Sequence, residues 1–267
     1  MEVINCDSFE RFESHIEDKR KLREKDNELW EKTSPPLYRG HADETWRLET
    51  TLERFSPETK FFEDYLNQVE NIRHQVSGFT GKEWPSASIQ KNPAYSNILA
   101  YDDFSLQGIE YLVYLRHHGF PSPLMDWTAS PYIAALFAFS GCNEEDGRIA
   151  IFSYQAHVGG VKAGVYQAPF IKGIGPIINS HRRHIVQQAQ YTICAIKEEG
   201  EYKIHSHAEL SGGVDQDVIT KYTIPKTERT KVLRKLEEFN LNLFSLYGSE
   251  DSLMSTLATR TYKLNMK

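Results

Sequence analysis

His117-His118-Gly119-Phe120-Pro121-Ser122-Pro123-Leu124-Met125-Asp126-Trp127-Thr128-Ala129-Ser130-Pro131-Tyr132-Ile133-Ala134 concentrates more chemistry than any other stretch of the chain. It places an imidazole, a carboxylate and a hydroxyl (His117, Asp126, Thr128) within one short connection. Leu106 to Arg116 before it reads as a helix, and Pro131 to Phe139 after it reads as a second. Ser130 is the expected N-cap and Pro131 the first helical residue, where its missing N–H costs no hydrogen bond. Two helices therefore bracket a stiff, proline-rich loop. Polar groups held on such a loop are the usual substance of a site. The structural alternative is a buried corner, plugged by Trp127 and braced by Asp126 on turn amides.

Working outward, Ser8 to Lys32 is charged, with Phe9, Phe12, Ile16, Leu22, Leu29 and Trp30 at roughly helical intervals, and reads as a surface helix stopped by Pro35-Pro36. Leu37 to His41 reads as a short strand and Pro57 to Ser77 as a helix. Gly78 to Leu99 reads as a long irregular connection, either an insertion or a lid. Further on, Arg148 to Tyr154, Gly164 to Ala168, Gln190 to Ile196 and Val218 to Ile224 have the β-branched and aromatic content of strands. Helices return at Lys226 to Phe239 and Asp251 to Thr259. Helices with one early strand, then strands, then helices, predict an α+β fold around a central, mostly antiparallel β-sheet, with helices at both ends.

The chain has 267 residues, 40% of them hydrophobic and 25% charged, as in an ordinary soluble globular protein. No run of apolar residues is long enough for a membrane helix and Met1 to Arg20 lacks a signal-peptide plan, so a cytoplasmic protein without membrane contact is expected. Cys6, Cys142 and Cys194 stand far apart, with no zinc-ligand spacing, and predict free thiols and no metal site. A net charge of −6 argues against non-specific nucleic-acid binding, and Arg182-Arg183-His184 is too short to form a basic patch. Gly159-Gly160 and Gly212-Gly213 are turn glycines without a phosphate-binding fingerprint.

Leu37-Tyr38-Arg39-Gly40-His41, followed by Trp46, Leu48, Leu52 and Arg54, resembles the opening motif of the FRG domain, with Tyr38 in place of the family's Phe. His117 through Pro121, Asp126-Trp127-Thr128 and Ala134-Ala135-Leu136-Phe137-Ala138 resemble its central motif. The segments Arg183 to Tyr191, Tyr222 to Pro225 and Leu243 to Leu253 are similar to its later parts. The likeness covers about residues 35 to 257. It implies an FRG-like domain over 35–267 behind an N-terminal helical extension over 1–34. Ser122-Pro123 replaces a usual Thr-Arg pair, Arg116 a usual Gln and Ala189 a usual Gly.

A more distant resemblance links Tyr38-Arg39-Gly40 and the Asp126-Trp127-Thr128 strand, with its following helix, to mono-ADP-ribosyltransferases. It implies an ADP-ribosyltransferase-like fold and NAD as substrate, in a toxin or anti-phage effector. Transfer from NAD passes through an oxocarbenium-like ribose, which needs a cation for the pyrophosphate, a surface for nicotinamide and an acceptor for the ribose. On this reading Asp126, Gln187 and His117 are the catalytic candidates. Arg39, Gly40, Trp127, Thr128 and Tyr191 are the candidates for holding NAD. Arg39 suits bidentate phosphate contact, whereas Tyr38 on the opposite strand face belongs to the core. Gln187, Ala189 and Tyr191 are expected to share one face of a strand from Gln187 to Ala195. No counterpart of the transferases' third-motif glutamate is placed, so either Asp126 carries that role or the pocket binds without catalysis. Non-catalytic nucleotide sensing and a metal-free nuclease or nucleic-acid-binding module, with His117 and His118 as acid and base, stay open beside it. In each case the macromolecular acceptor is unidentified. The shared-site reading requires Arg39, Asp126 and Gln187 to converge.

Overall fold

Runs of β-branched and aromatic residues, buried on both faces over most of their length, build a sheet at the centre of the molecule. A computed structural model describes residues 1–25, 33–91, 104–142, 146–160, 162, 168–174, 182–210 and 215–265. The strands are β1 (Glu2–Asn5), β2 (Leu37–His41), β3 (Ser88–Lys91), β4 (Phe104–Gln107), β5 (Met125–Thr128), β6 (Arg148–His157), β7 (Phe170–Ile174), β8 (Ala189–Glu198), β9 (Glu201–Ile204) and β10 (Gln216–Pro225). The main sheet runs β1-β10-β6-β2-β5-β8-β7, with β9 on β8, and β3 and β4 form a separate hairpin. All these pairings are antiparallel except β1 with β10. The expected α+β fold with a mostly antiparallel sheet and flanking helices is what forms.

The helix Pro131–Gly141 begins as its sequence dictates, with Ser130 Oγ accepting from Ile133 N–H and Pro131 in the first turn. Its small residues let β2 approach closely: a Cβ on Gly40 would sit 1.9 Å from the carbonyl oxygen of Ala134, so only glycine fits there. Phe9 and Phe12 from the helix Phe9–Lys25, Tyr38, Ile149, Ile151, Tyr222 and the helix Arg229–Glu238 complete a buried cluster over β2, β6 and β10. The first 25 residues are thus built into this core, through β1 and through both phenylalanines. A second cluster joins the helices Phe62–Thr80 and Ile109–His117 to Tyr191, Ile193 and Ala195 of β8. Tyr38 lies opposite Thr128, and Asp126 opposite Tyr191, so both clusters occupy one face of the sheet and leave a seam between them. Met125, Trp127, Phe152, Tyr154 and Cys194 pack on the other face.

Several boundaries differ from the sequence reading. Leu106 ends strand β4 instead of opening a helix, because Gly108 adopts a left-handed conformation and caps a helix that starts at Ile109. Pro57 precedes its helix by several residues; the chain turns at Ser56 and becomes helical at Phe62. Met125 to Thr128, a loop by its local pattern but a strand by the resemblance to mono-ADP-ribosyltransferases, is a central strand. Gly78 to Thr80 finishes a helix and Ser88 enters β3, so the irregular connection is shorter than expected, and its residues 92–99 lie outside the described residues. Leu29, Trp30 and the core of the expected strand at 164–168 also lie outside them. Gln187 is not on a strand. It follows the short helix Arg182–Val186, and Gln188, at φ 47°, reverses the chain into β8. No helix among the described residues is long and apolar enough to cross a membrane.

Candidate functional site

The sheet is nearly parted at its middle. β2 matches β6 over five positions and β5 matches β8 over four, but β2 meets β5 only at Tyr38 and Thr128. Past that point the guanidinium of Arg39 takes the place of a strand-to-strand bond, with Nη1 donating to the carbonyl of Asp126 at 2.8 Å. Nη1 also lies 3.8 Å from the Asp126 carboxylate, and Arg116, at the end of the helix Ile109–His117, reaches the same oxygen, Oδ2, at 2.5 Å. One carboxylate therefore holds two mostly buried cations at the parting. The other oxygen, Oδ1, is buried and accepts no hydrogen bond from the described residues.

Arg39 Nε donates to His41 Nε2 at 3.1 Å. A guanidinium has no acceptor, so Nε2 must be the unprotonated nitrogen and His41 neutral. Burial and then the Arg39 charge reinforce this, taking the His41 pKa down to about 3. Burial also lowers the Arg39 pKa to about 10, with Asp126 opposing the shift, so Arg39 stays charged at neutral pH.

A cavity of about 350 Å³ opens at the parting, in the range of small-molecule sites. All eight sequence-derived candidates, Arg39, Gly40, His117, Asp126, Trp127, Thr128, Gln187 and Tyr191, line it. Their surroundings separate them. The Trp127 indole is 3% exposed and donates to Thr192 Oγ1 at 2.8 Å, which commits the ring to the core. The Thr128 hydroxyl donates to the Gln187 carbonyl at 2.7 Å and accepts from Ser130 N–H, so it fastens the Gln187 turn to β5. Gln187 Nε2 donates to the Leu246 carbonyl at 3.4 Å. The stiffness expected of the proline-rich loop is present, since Ser122 N–H donates to Thr51 Oγ1 and its carbonyl accepts from Leu52 N–H.

Tyr191 is 2% exposed, too enclosed to serve as a stacking surface. Its hydroxyl lies 2.7 Å from His117 Nε2 and 3.2 Å from His184 Nε2, and the two imidazole nitrogens approach to 2.5 Å. Burial, and then the Asp126 charge, raise the Tyr191 pKa well above the ordinary range, so its phenol remains a donor. His118, expected as the partner of His117, stacks instead on Tyr114 with ring centroids 4.3 Å apart. Successive residues at a helix end point in different directions, and His184 of a distant segment takes the place beside His117.

Sequence reading missed Arg116, Arg183, His184 and Tyr247. Arg183 and Tyr247 line the same cavity, with the guanidinium 5.3 Å from the phenol ring centroid. The described lining thus carries three arginines against one carboxylate, a field suited to an anionic ligand in a chain whose net charge is −6. Among the described residues, no three His, Cys, Asp or Glu side chains group as a metal site, and all three cysteines are buried.

No curated protein and no solved structure matches the chain. The sequence model of the FRG domain family matches residues 34–147, which contain β2, the proline-rich loop, β5 and the helix behind them. The Tyr38-Arg39-Gly40 strand and the Asp126-Trp127-Thr128 strand meet inside this matched segment, so the floor of the cavity lies in the part of the chain that matches the FRG domain.

Proposed function

We propose that this cavity binds NAD and that the protein consumes it, as an ADP-ribosyltransferase whose limiting reaction is hydrolysis. The observation that carries the reading is the parting of β2 from β5, where Asp126 holds Arg39 and Arg116 beside an unoccupied carboxylate oxygen. The arginines suit the pyrophosphate. Asp126 Oδ1 suits a ribose hydroxyl and the positive charge that develops as the C1′–nitrogen bond breaks. Nicotinamide leaves with the bonding electrons, and an acceptor oxygen or nitrogen forms the new bond to C1′. His117, next to His184, takes the acceptor's proton. Tyr247, half-buried at the rim, is a better nicotinamide surface than the enclosed Tyr191. The sequence resemblance of Tyr38-Arg39-Gly40 and Asp126-Trp127-Thr128 to mono-ADP-ribosyltransferases points the same way. Such an activity drains a cell of NAD, which suits a toxin or an anti-phage effector.

A second reading has its own support in the imidazole pair beside arginines, which also suits metal-free cleavage of a phosphodiester. Nicotinamide release from NAD by the purified chain, with RNA and DNA tested in parallel, separates them. The NAD reading requires release that continues past one equivalent. Nucleic-acid cleavage without nicotinamide release replaces it with the second reading, and neither activity reduces the site to binding.

A further inference from the structure

Trp46 and Arg54 belong to the opening motif, yet nothing in the first cavity uses them. They line a second cavity of about 540 Å³ together with Arg39, Gly40, His41, Arg47 and Glu49. Arg39 and Gly40 line both cavities. Along β2 the side chains alternate, so Tyr38 and Gly40 face the helices while Arg39 and His41 face the opposite side, where His41 packs on Phe152 at 5.0 Å. The two cavities are therefore mouths on opposite faces of β2 that share Arg39 and Gly40 as lining.

The second mouth has its own binding chemistry. Trp46 is 56% exposed, an unusual position for an indole unless its face has work to do, and its ring stands 6.2 Å from His41. Arg54 donates one N–H to the Glu49 carbonyl at 2.9 Å and lines the cavity. Arg47 is already engaged by Glu49 and Glu209. An exposed aromatic face beside an arginine is the arrangement that stacks a base and holds its phosphate.

We infer that the second mouth is a site for the adenosine-phosphate half of a dinucleotide, with adenine on Trp46 and phosphate on Arg54. The choice of adenosine rests on the NAD reading; the stacking and phosphate chemistry does not.

Calorimetric titration of the full chain tests this with AMP, inorganic phosphate and nicotinamide mononucleotide as separate probes. The expected result is AMP binding that falls at least roughly tenfold in Trp46→Ala, is largely restored in Trp46→Phe, and falls several-fold in Arg54→Ala. Nicotinamide mononucleotide binding is expected to be unchanged in all three, and phosphate alone to bind more weakly than AMP. Both side chains are exposed, so folded variants are expected, and a thermal melt of each verifies this. AMP binding indifferent to Trp46 and Arg54, or absent at millimolar concentration, overturns the inference. NAD consumption that proceeds at the parental rate and KM in both alanine variants also overturns it, and leaves the NAD reading standing. Trp46-dependent AMP binding in a protein that never releases nicotinamide supports this site and defeats the catalytic reading.

Discussion

Asp126→Asn removes the negative charge held between Arg116, at 2.5 Å, and Arg39, at 3.8 Å, while keeping nearly the same shape and one acceptor oxygen. Breaking a fully buried ion pair costs about 3–5 kcal/mol, because the remaining cations are stranded away from water. The two arginine side chains are 17% and 14% exposed, which favours the full penalty, but Asp126 is 35% exposed and solvent screens part of it. About 2 kcal/mol of lost stability follows, equivalent to a fall of about 4–8 °C in Tm for a chain of this size. A neutral amide does not stabilise an oxocarbenium-like centre, so turnover of NAD is expected to drop at least roughly tenfold, measured well below the melting temperature of the variant. The assay pairs a thermal melt with nicotinamide release. A variant that melts lower but consumes NAD at the parental rate refutes the catalytic role and leaves Asp126 as a clamp on the two arginines.

Three further outcomes follow from the same geometry. Gly40→Ala forces a Cβ to within 1.9 Å of the Ala134 carbonyl and must separate β2 from the helix Pro131–Gly141; little soluble protein, or a large fall in Tm, is expected, and a parental melting curve contradicts the packing described. Arg39→Lys keeps a charge at the parting but loses the planar fork that reaches His41 and Asp126 together, so NAD affinity should weaken by about 1–2 kcal/mol with the fold retained; unchanged affinity with a much lower Tm makes Arg39 purely structural. His41 and His207 are held neutral by burial, each with its pKa down to about 3, whereas in the unfolded chain they take up protons near 6.5. Their contribution is therefore complete above about pH 7 and is lost as pH falls toward 3, with each costing about 2 kcal/mol at pH 5 relative to pH 8. Urea unfolding across that range measures it, and a flat profile contradicts the burial of these rings.

The parts of the fold legible in the sequence are those with local chemistry behind them. Ser130 and Pro131 mark a helix start because capping is a matter of adjacent atoms, and β6, β8 and β10 are long enough for their apolar pattern to show. β5 is marked as a strand only by the family resemblance, because four residues between prolines carry no periodicity of their own. β1 is equally short, and its pairing with β10 joins residues at opposite ends of the chain. Leu106 looked helical because only the left-handed backbone of Gly108 separates strand from helix there.

The site divides in the same way. Asp126 and His117 stand out within a stretch rich in polar groups, and Arg39 through its Tyr-Arg-Gly context. Arg116 was noticed only as a departure from the family pattern, and Tyr247 sits in a five-residue helix without a clear sequence signal. His184 joins His117 across 67 positions, a meeting that strand order creates and local spacing cannot reveal. Gln187 reaches the cavity from a turn instead of a strand, so the expected convergence with Arg39 and Asp126 arises by a different route.

The most direct measurement of the central claim is a crystal structure of the chain with a non-hydrolysable NAD analogue. The account predicts nicotinamide riboside in the cavity between Asp126, Gln187 and Tyr247, with the pyrophosphate against Arg39 and a ribose hydroxyl on Asp126 Oδ1. An analogue bound elsewhere on the surface, or an empty cavity at saturating concentration, contradicts it.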